Sequence, residues 1–206
     1  MTSPERLNAL IQAVQYVIEQ NIPGDIVECG VWKGGSMMAA ALTLIRLNST
    51  ERTLHLFDTY EGMPPATAED IDHKGVPAEK LMSEQDRDTS VIWAYAQLDE
   101  VKTNLKRTAY PADRVKFIQG RVEETIPAAA PPTISILRLD TDWYESTKHE
   151  FEHLFPRLSP GGVLIIDDYG HWEGARKATD EYVRNHNVRI LLCRIDYCGR
   201  IAVKQV

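Results

Sequence analysis

Two apolar runs that read as buried strands each end in a pair of aspartates. Asp140 and Asp142 follow the first run, and Asp167 and Asp168 follow the second run about 27 residues later. Removing several like charges from water costs several kcal/mol each unless a cation or hydrogen bonds compensate them. Such a cluster therefore suggests a site for a hard divalent metal ion, which prefers oxygen ligands. The function of the chain should be sought where these four aspartates meet.

The order of apolar and turn-forming segments predicts the fold. Apolar residues repeat at helical spacing from Leu7 to Ile18 after a Thr2–Pro4 start signal, which predicts a helix within residues 1–22. Further helices are predicted at 36–47, 91–105, around Phe151 and at 175–183, and strands at 25–29, 53–57, 115–118, 133–139, 163–166, 189–195 and 200–204. This alternation predicts an α/β protein with a Rossmann-like, doubly wound, mostly parallel seven-stranded sheet and a C-terminal antiparallel hairpin.

The chain length bounds the number of domains. At 206 residues the chain can hold one domain with a full core, and we predict a single domain over residues 1–206. Residues 62–90 carry several glycines and prolines among many charged residues, and their periodicity is weak. We interpret this segment as a long loop or a broken helix. Because long loops in compact domains are often lids, a lid is one prediction for it, and a plain solvated loop is the alternative.

Composition argues against several classes of partner. The net charge of −7 disfavours nucleic acid, because binding to phosphates relies on clustered lysine and arginine. No apolar run approaches the roughly 20 residues that span a bilayer, so we predict no membrane partner. Cys29, Cys193 and Cys198 show neither the spacing of a disulfide framework nor that of zinc ligands. We therefore expect reduced thiols and a cytoplasmic location.

The turn after the first predicted strand has the residues of a nucleoside site. Glu28 ends the strand, and a glycine-rich turn from Gly30 to Gly35 leads into a helix that starts at Ser36. Glycines let the backbone approach a ligand closely, but the spacing is not the GxGxxG pattern of dinucleotide sites. Asp58 ends the next strand, where a carboxylate can accept both hydroxyls of a ribose. The two turns predict a nucleoside ligand without a pyrophosphate; a tight turn and a helix cap are the structural alternatives.

Four segments of the chain resemble the macrocin O-methyltransferase family, also called TylF-type. They are Asp25–Ser36, Leu56–Pro64, Leu137–Thr147 and Gly161–Gly170. The resemblance covers roughly residues 22–185. It implies a class I O-methyltransferase that depends on S-adenosylmethionine (SAM) and Mg²⁺ and acts on a sugar hydroxyl, such as that of a deoxysugar in a glycosylated natural product. The implied partner is a small sugar or glycoside acceptor, and a homo-oligomer stays open.

The same resemblance implies roles for single residues. The implied cofactor-binding residues are Glu28, Gly30 and Ser36 at the methionine part, Asp58 at the ribose, Gln119, Gly120 and Val122 in the turn that borders the adenine, and Asp140. The implied metal ligands are Asp140, Asp167 and Asp168. In one family member the general base is the aspartate two residues beyond the first ligand, a position that matches Asp142. Other members use a histidine three residues beyond that ligand, where this chain has Trp143, so Asp142 is the candidate catalytic residue.

Two other functions are compatible with these residues. One is a catechol-type O-methyltransferase acting on a small aromatic diol, which shares the fold and a carboxylate-rich Mg²⁺ site. Such enzymes usually place a lysine base where this chain has Trp143, so this function ranks second. The other is a non-catalytic module that binds SAM or its demethylated product, S-adenosylhomocysteine (SAH). Replacing Asp142 with asparagine would separate an enzyme from a pure binder.

Overall fold

Seven strands form one sheet in the computed structural model, which describes residues 2–205. They are β1 (Asp25–Cys29), β2 (Leu54–Asp58), β3 (Val115–Gln119), β4 (Ile134–Leu139), β5 (Leu158–Ile166), β6 (Cys193–Arg194) and β7 (Arg200–Val203). The order across the sheet is β3-β2-β1-β4-β5-β7-β6. Neighbours from β3 to β5 are parallel, whereas β7 is antiparallel to both β5 and β6. The predicted fold class is confirmed.

Seven α-helices accompany the strands within residues 2–205. They are α1 (Pro4–Glu19), α2 (Gly35–Arg46), α3 (Ala78–Ser83), α4 (Leu98–Lys106), α5 (Val122–Thr125), α6 (Tyr144–Leu154) and α7 (Glu173–Asn185). The first helix starts as predicted, because the Ser3 hydroxyl accepts the backbone N–H of Arg6 at 3.1 Å and Pro4 opens the first turn. Over this described range, every helix is too short or too polar to cross a membrane.

Helices cover both faces of the sheet. Ile26 of β1 lies in one apolar cluster with Leu10 of α1 and Leu44 of α2. Its neighbour Val27 lies in a second cluster with Phe151 of α6. Because successive side chains of a strand point to opposite faces, the two clusters are the two halves of a doubly wound core. The site loops therefore rise from a sheet that is packed on both faces.

The helix predicted over 91–105 is wrong in its first half. A 3₁₀ turn covers Val91–Trp93, and the regular helix α4 starts only at Leu98. Ala94 lies between them with a φ of 44°, in the left-handed region that stops a helix from continuing. The spacing of apolar residues predicts which side of a segment is buried, and it does not show a left-handed residue that interrupts the helix.

The first arm of the predicted C-terminal hairpin is also shorter than the prediction of 189–195. Only Cys193–Arg194 pairs with β7. Val188, Ile190 and Leu192 still pack against the second apolar cluster, so their alternation reports burial without strand pairing.

Candidate active site

A cavity of about 850 Å³ opens beyond the carboxyl ends of β1, β2, β4 and β5. After β1 the chain adds β2 and β3 on one side of the sheet, and after β4 it adds β5 on the other side. The crevice between β1 and β4 is therefore the switch point, where α/β sheets bind ligands. The cavity has two ends. The cofactor end comprises residues 30–36, Asp58 and 120–123, and the acidic end comprises residues 140–142, 167–168, His171, Trp172 and Tyr197.

Gly30 brings the loops of the two central strands together at this switch point. Its φ is 81°, and a Cβ added there would overlap the carbonyl oxygen of Asp140. The backbone N–H of Asp140 donates to the carbonyl of Cys29 at 2.9 Å, so the two loops are also hydrogen-bonded. Only glycine fits both the backbone conformation and the close approach. The loop after β1 is therefore fixed against the loop that carries the first aspartate.

Asp58 holds the same glycine-rich turn. Its Oδ2 accepts the backbone N–H groups of Val31 at 2.6 Å and Trp32 at 3.0 Å, and its Oδ1 accepts that of Tyr60 at 2.7 Å. Burial raises the pKa of Asp58, and these three hydrogen bonds oppose that shift because they stabilise the ionised form. Asp58 thus has a structural task in the turn, and its contact with a ribose stays a prediction.

The three predicted metal ligands lie together. One carboxylate oxygen from each of Asp140, Asp167 and Asp168 lies within 4.8 Å of the others. The register of the sheet explains this, because Leu139 pairs with Ile166 and the aspartates are the next residues on the two strands. The Asp167 N–H donates to the carbonyl of Leu139 at 2.9 Å, which extends that pairing into the site. Oxygen-only donors of this kind could hold a hard divalent cation.

Arg138 is buried in the middle of these carboxylates. Its side chain is 2% exposed, and it donates to Glu28 at 2.8 Å, Asp140 at 2.6 Å and Asp167 at 2.5 Å. Glu28 lies opposite Arg138 in the β1–β4 register, and Asp140 is two residues further along the same strand. The guanidinium therefore joins one carboxylate from each of three adjacent strands. The charges of Asp140, Asp167 and Glu28 raise the pKa of Arg138 against the effect of burial.

A second guanidinium reaches the site from α1. Arg6 forms an ion pair with the carboxylate of Asp167 and donates through Nε to Asp196 at 3.0 Å. The Ser3 hydroxyl donates to the same Asp196 oxygen at 2.7 Å, and Arg138 donates to the hydroxyl of Thr2 at 3.1 Å. The first turn of α1 thus forms one wall of the acidic end.

The acidic end keeps an excess of carboxyl groups despite these two arginines. Five carboxyl groups meet there, those of Glu28, Asp140, Asp142, Asp167 and Asp168. Burial and the charges of neighbouring acids raise the pKa values of Asp140 and Asp168 well above their usual range, although Arg138 opposes this for both. A divalent cation at this point would compensate the remaining charge and restore ionised ligands, so the donor set fits such an ion.

Asp142 occupies a strained turn. Its φ is 65°, and the N–H of Trp143 donates to the carbonyl of Thr141 at 2.7 Å across it, as in a γ-turn. Non-glycine residues adopt this conformation only where the surroundings enforce it, and such positions are frequent at active sites. The hydroxyl of Thr141 donates to the buried Glu150 at 3.0 Å, which holds the turn from below.

The carboxyl group of Asp142 is in contact with the acidic cluster and with an indole. It shares a hydrogen bond with Asp168 and accepts one from the side chain of Trp172. Burial, with the charge of Asp140, raises the pKa of Asp142 to about 7. Trp143 occupies the position three residues after Asp140. Its indole N–H donates to the carbonyl of Pro64 at 3.0 Å, so this position carries no general base.

The predicted cofactor residues separate into two groups. Gly30, Ser36, Gly120 and Val122 line the cavity together with Asp58 and Asp140. Glu28 lies behind the surface at 1% exposure, where burial raises its pKa to about 7 against the effect of Arg138. Gln119 is exposed at the end of β3 and is not among the cavity-lining residues of the described range.

Comparison with known proteins decides the family. The sequence model of the Macrocin-O-methyltransferase (TylF) family matches residues 1–203. The chain belongs to this family. The resemblance inferred from four segments is confirmed, and the match extends beyond residues 22–185 at both ends. TylF members are methyltransferases, so the chain is placed among enzymes that transfer a methyl group to oxygen.

Named relatives of this TylF-family chain modify glycosylated natural products. It is 35% identical to an 8-demethyl-8-(2,3-dimethoxy-alpha-L-rhamnosyl)-tetracenomycin-C 4'-O-methyltransferase of Streptomyces olivaceus, over 97% of this chain and 73% of the relative. It is 34% identical to a mycinamicin III 3''-O-methyltransferase of Micromonospora griseorubida, over 97% and 76%. The solved structure of the O-methyltransferase NovP superposes with a TM-score of 0.84 at 32% identity, covering 98% of this chain and 80% of that one.

The 62–90 segment of the TylF-family chain lies over the cavity and is tied to the helices beside it. Met63, Pro64 and Leu81 line the cavity. The buried Asp70 accepts the backbone N–H of Tyr144 at 2.7 Å, which caps the start of α6. The segment also contains helix α3 and a bridge between Asp72 and Trp172. The segment therefore covers part of the cavity and is tied to α6 and to Trp172, and its closing as a lid stays a prediction.

Sequence reasoning missed the residues that organise the acidic end. The apolar strand pattern assigns Arg138 no role, although a charged residue two positions before Asp140 must share its face of the strand. Arg6 and Asp70 gave no comparable signal, because their partners Asp167 and Tyr144 lie 161 and 74 residues away. Such long-range pairs become visible only when the fold is known.

Proposed function

We propose that this protein transfers the methyl group of SAM to a hydroxyl of a sugar in a glycosylated small molecule, with a divalent cation such as Mg²⁺ bound by Asp140, Asp167 and Asp168. One observation carries the proposal: the glycine-rich turn and the carboxylate cluster border the same cavity at the switch point of the sheet. A methyl donor and an acceptor hydroxyl can therefore meet in one place.

The names of the relatives support a sugar as the acceptor. The Streptomyces olivaceus relative is named for a product that carries a rhamnosyl group, and both curated relatives are named O-methyltransferases. Identity of 34–35% over almost the whole chain makes the same class of acceptor the best inference for this protein. The acceptor and the position of methylation, 4' in one name and 3'' in the other, differ between the two relatives.

The cofactor end has the atoms that SAM requires. Gly30 lets the backbone approach the ligand, and the N-terminus of α2 at Ser36 offers free N–H groups to a carboxylate. Behind the cavity surface, Glu28 Oε2 is buried without a hydrogen-bond partner among residues 2–205. SAM supplies an electrophilic methyl group when it is bound. SAM, with its adenine bordered by residues 120–122, fits this end.

The acidic end can then prepare the nucleophile. When bound, a divalent cation lowers the pKa of a hydroxyl that it coordinates. Asp142 accepts the proton of that hydroxyl while the oxygen forms its bond to the methyl carbon, and SAH leaves with the sulfur electron pair. The strained turn and the Trp172 hydrogen bond hold the Asp142 carboxyl group for this task. Arg138 and Arg6 keep Asp167 in place for the cation.

The test is turnover of neutral aryl glycosides, including 4-nitrophenyl α-L-rhamnopyranoside, with SAM and Mg²⁺. We expect SAH to form, to stop on addition of EDTA and to resume with excess Mg²⁺. Asp142→Asn should lower kcat at least about 100-fold, since general-base catalysis contributes that much or more. It should leave the affinity for SAH unchanged, because Asp142 lies outside the cofactor end.

Asp99→Asn is the matched control, because that aspartate is 94% exposed on α4. It should turn over like the wild type. Wild-type turnover by Asp142→Asn would contradict the assignment of the base. Turnover that persists in EDTA would contradict the metal.

A further inference from the structure

Three rings from three separate segments meet at the mouth of the acidic end. The His73 ring centroid lies 4.9 Å from that of His171 and 5.9 Å from that of Tyr197, and the last two are 6.1 Å apart. Nδ1 of His171 is hydrogen-bonded to the hydroxyl of Tyr197 at 3.1 Å. Tyr197 lies outside the apolar clusters within residues 2–205, and the ring of His171 stands edge-on to that of Trp172 at a centroid distance of 4.9 Å.

The backbone fixes two of the rings relative to each other. The N–H of Gly170 donates to the carbonyl of Cys198 at 2.9 Å, and a Cβ at Gly170 would overlap the carbonyl oxygen of Tyr197. Asp196 Oδ1 accepts the N–H groups of Cys198 at 2.8 Å and Gly199 at 2.6 Å, which closes the turn that carries Tyr197. The loop after β5 and the turn before β7 therefore present His171 and Tyr197 as a preformed pair.

The third ring is anchored independently. Asp72 Oδ1 accepts the N–H groups of Lys74 at 2.9 Å and Val76 at 2.8 Å, and this turn contains His73. The N–H of Glu173 donates to the carbonyl of Ile71 at 2.8 Å and ties the turn to the start of α7. Three anchored segments thus place aromatic surface beside the cavity, where Tyr197 stays 54% exposed.

This wall carries little positive charge. The cations that line the described cavity are Arg6, Lys33 and Arg121, and each is paired with a carboxylate. Lys33 and Arg121 belong to the cofactor end. The wall therefore suits an uncharged ligand with hydroxyl groups better than a diphosphate.

We propose that His171 and Tyr197, backed by His73, form the subsite that holds the sugar ring of the acceptor beside Asp142. The C–H face of a pyranose packs against Tyr197, whose ring stands at 73° to that of His171, and its hydroxyl groups exchange hydrogen bonds with His171 Nε2 and the Tyr197 hydroxyl. This subsite rests on the proposed function, and it determines acceptor affinity and orientation without contacting the cofactor. His171 lies three residues after Asp168, which keeps the held sugar within reach of the carboxylates.

The experiment titrates 4-nitrophenyl α-L-rhamnopyranoside into SAH-saturated protein in Mg²⁺ by calorimetry. His171→Ala and Tyr197→Ala should each raise the glycoside Kd about five- to tenfold, from the loss of ring contact and one hydrogen bond. Tyr197→Phe, which keeps the ring, should give a smaller increase. SAH affinity should stay at the wild-type value in all three variants, which also shows that they are folded.

His186→Ala is the matched control. His186 directly follows α7 and stacks on Tyr182 at a centroid distance of 4.2 Å, away from the cavity, so both affinities should stay unchanged. Wild-type glycoside affinity in His171→Ala and Tyr197→Ala would overturn the subsite and leave the proposed function standing. Wild-type protein that binds SAH but no glycoside would also overturn the subsite. A wild type that binds no SAH would overturn the proposed function and the subsite with it.

Discussion

The two ends of the cavity are built by different physical means. At the cofactor end the shape comes from the backbone, since Gly30 permits a close approach and Asp58 ties down a turn through three N–H groups. At the acidic end the shape comes from charge, since Arg138 and Arg6 hold carboxylates from three strands. The cofactor end should therefore be sensitive to added atoms, and the acidic end to removed charge.

The largest expected effect follows the removal of the buried guanidinium. Arg138→Met should lower the free energy of unfolding by about 3–5 kcal/mol, because it leaves buried carboxylates uncompensated. Urea denaturation followed by tryptophan fluorescence measures the change. Arg114→Met is the control, since Arg114 is half exposed and its contact with Asp113 is 3.8 Å. A loss within 1 kcal/mol of that control would contradict the account of the acidic end.

A smaller effect should follow an added methyl group at the cofactor end. Gly30→Ala should cost about 2–3 kcal/mol and weaken SAH binding, because the Cβ overlaps the carbonyl oxygen of Asp140 at a φ of 81°. Gly75 is the matched control, with a φ of 82° and open space around it. Gly75→Ala should cost only the conformational strain, about 1 kcal/mol, and should leave SAH binding intact. Equal losses of stability and SAH affinity in both variants would show that the close approach does not matter.

The local patterns at the two ends of the cavity could be predicted from the sequence, whereas the counter-charges of the acidic end could not. The glycine-rich turn and the strand-end aspartates are local patterns, and the parallel sheet brings strand ends together by rule. The counter-charges are not local: Arg6 joins Asp167 only after α1 has packed on the sheet. The left-handed Ala94 and the unpaired arm before Cys193 were missed for a related reason, since apolar spacing reports burial and not backbone conformation.

The smallest expected effect concerns Glu150, a buried carboxyl group behind the acidic end that pairs with no arginine among residues 2–205. Burial raises the pKa of Glu150 well above its usual range. The folded state therefore keeps a proton that the unfolded chain loses above about pH 4.3, so wild-type stability falls as pH rises. Glu150→Gln has no such proton, and its free energy of unfolding relative to the wild type should rise by about 1 kcal/mol or more between pH 5 and pH 8.

Urea denaturation at the two pH values measures that difference, in which the other titrating groups largely cancel. Glu145→Gln is the control, because Glu145 is exposed in the first turn of the same helix. A difference between Glu150→Gln and the wild type that does not change with pH would mean that Glu150 is ionised in the folded protein. The acidic end would then carry one more uncompensated charge than the account allows.

The most direct test of the account is a calorimetric titration of the protein with SAH, since it requires no knowledge of the acceptor. We expect micromolar binding, about −8 kcal/mol. Asp168→Asn should leave this affinity unchanged, because Asp168 belongs to the acidic end. Binding in both proteins would establish a cofactor end that works independently of the carboxylates. No binding by the wild type would contradict the central claim that this cavity holds the methyl donor.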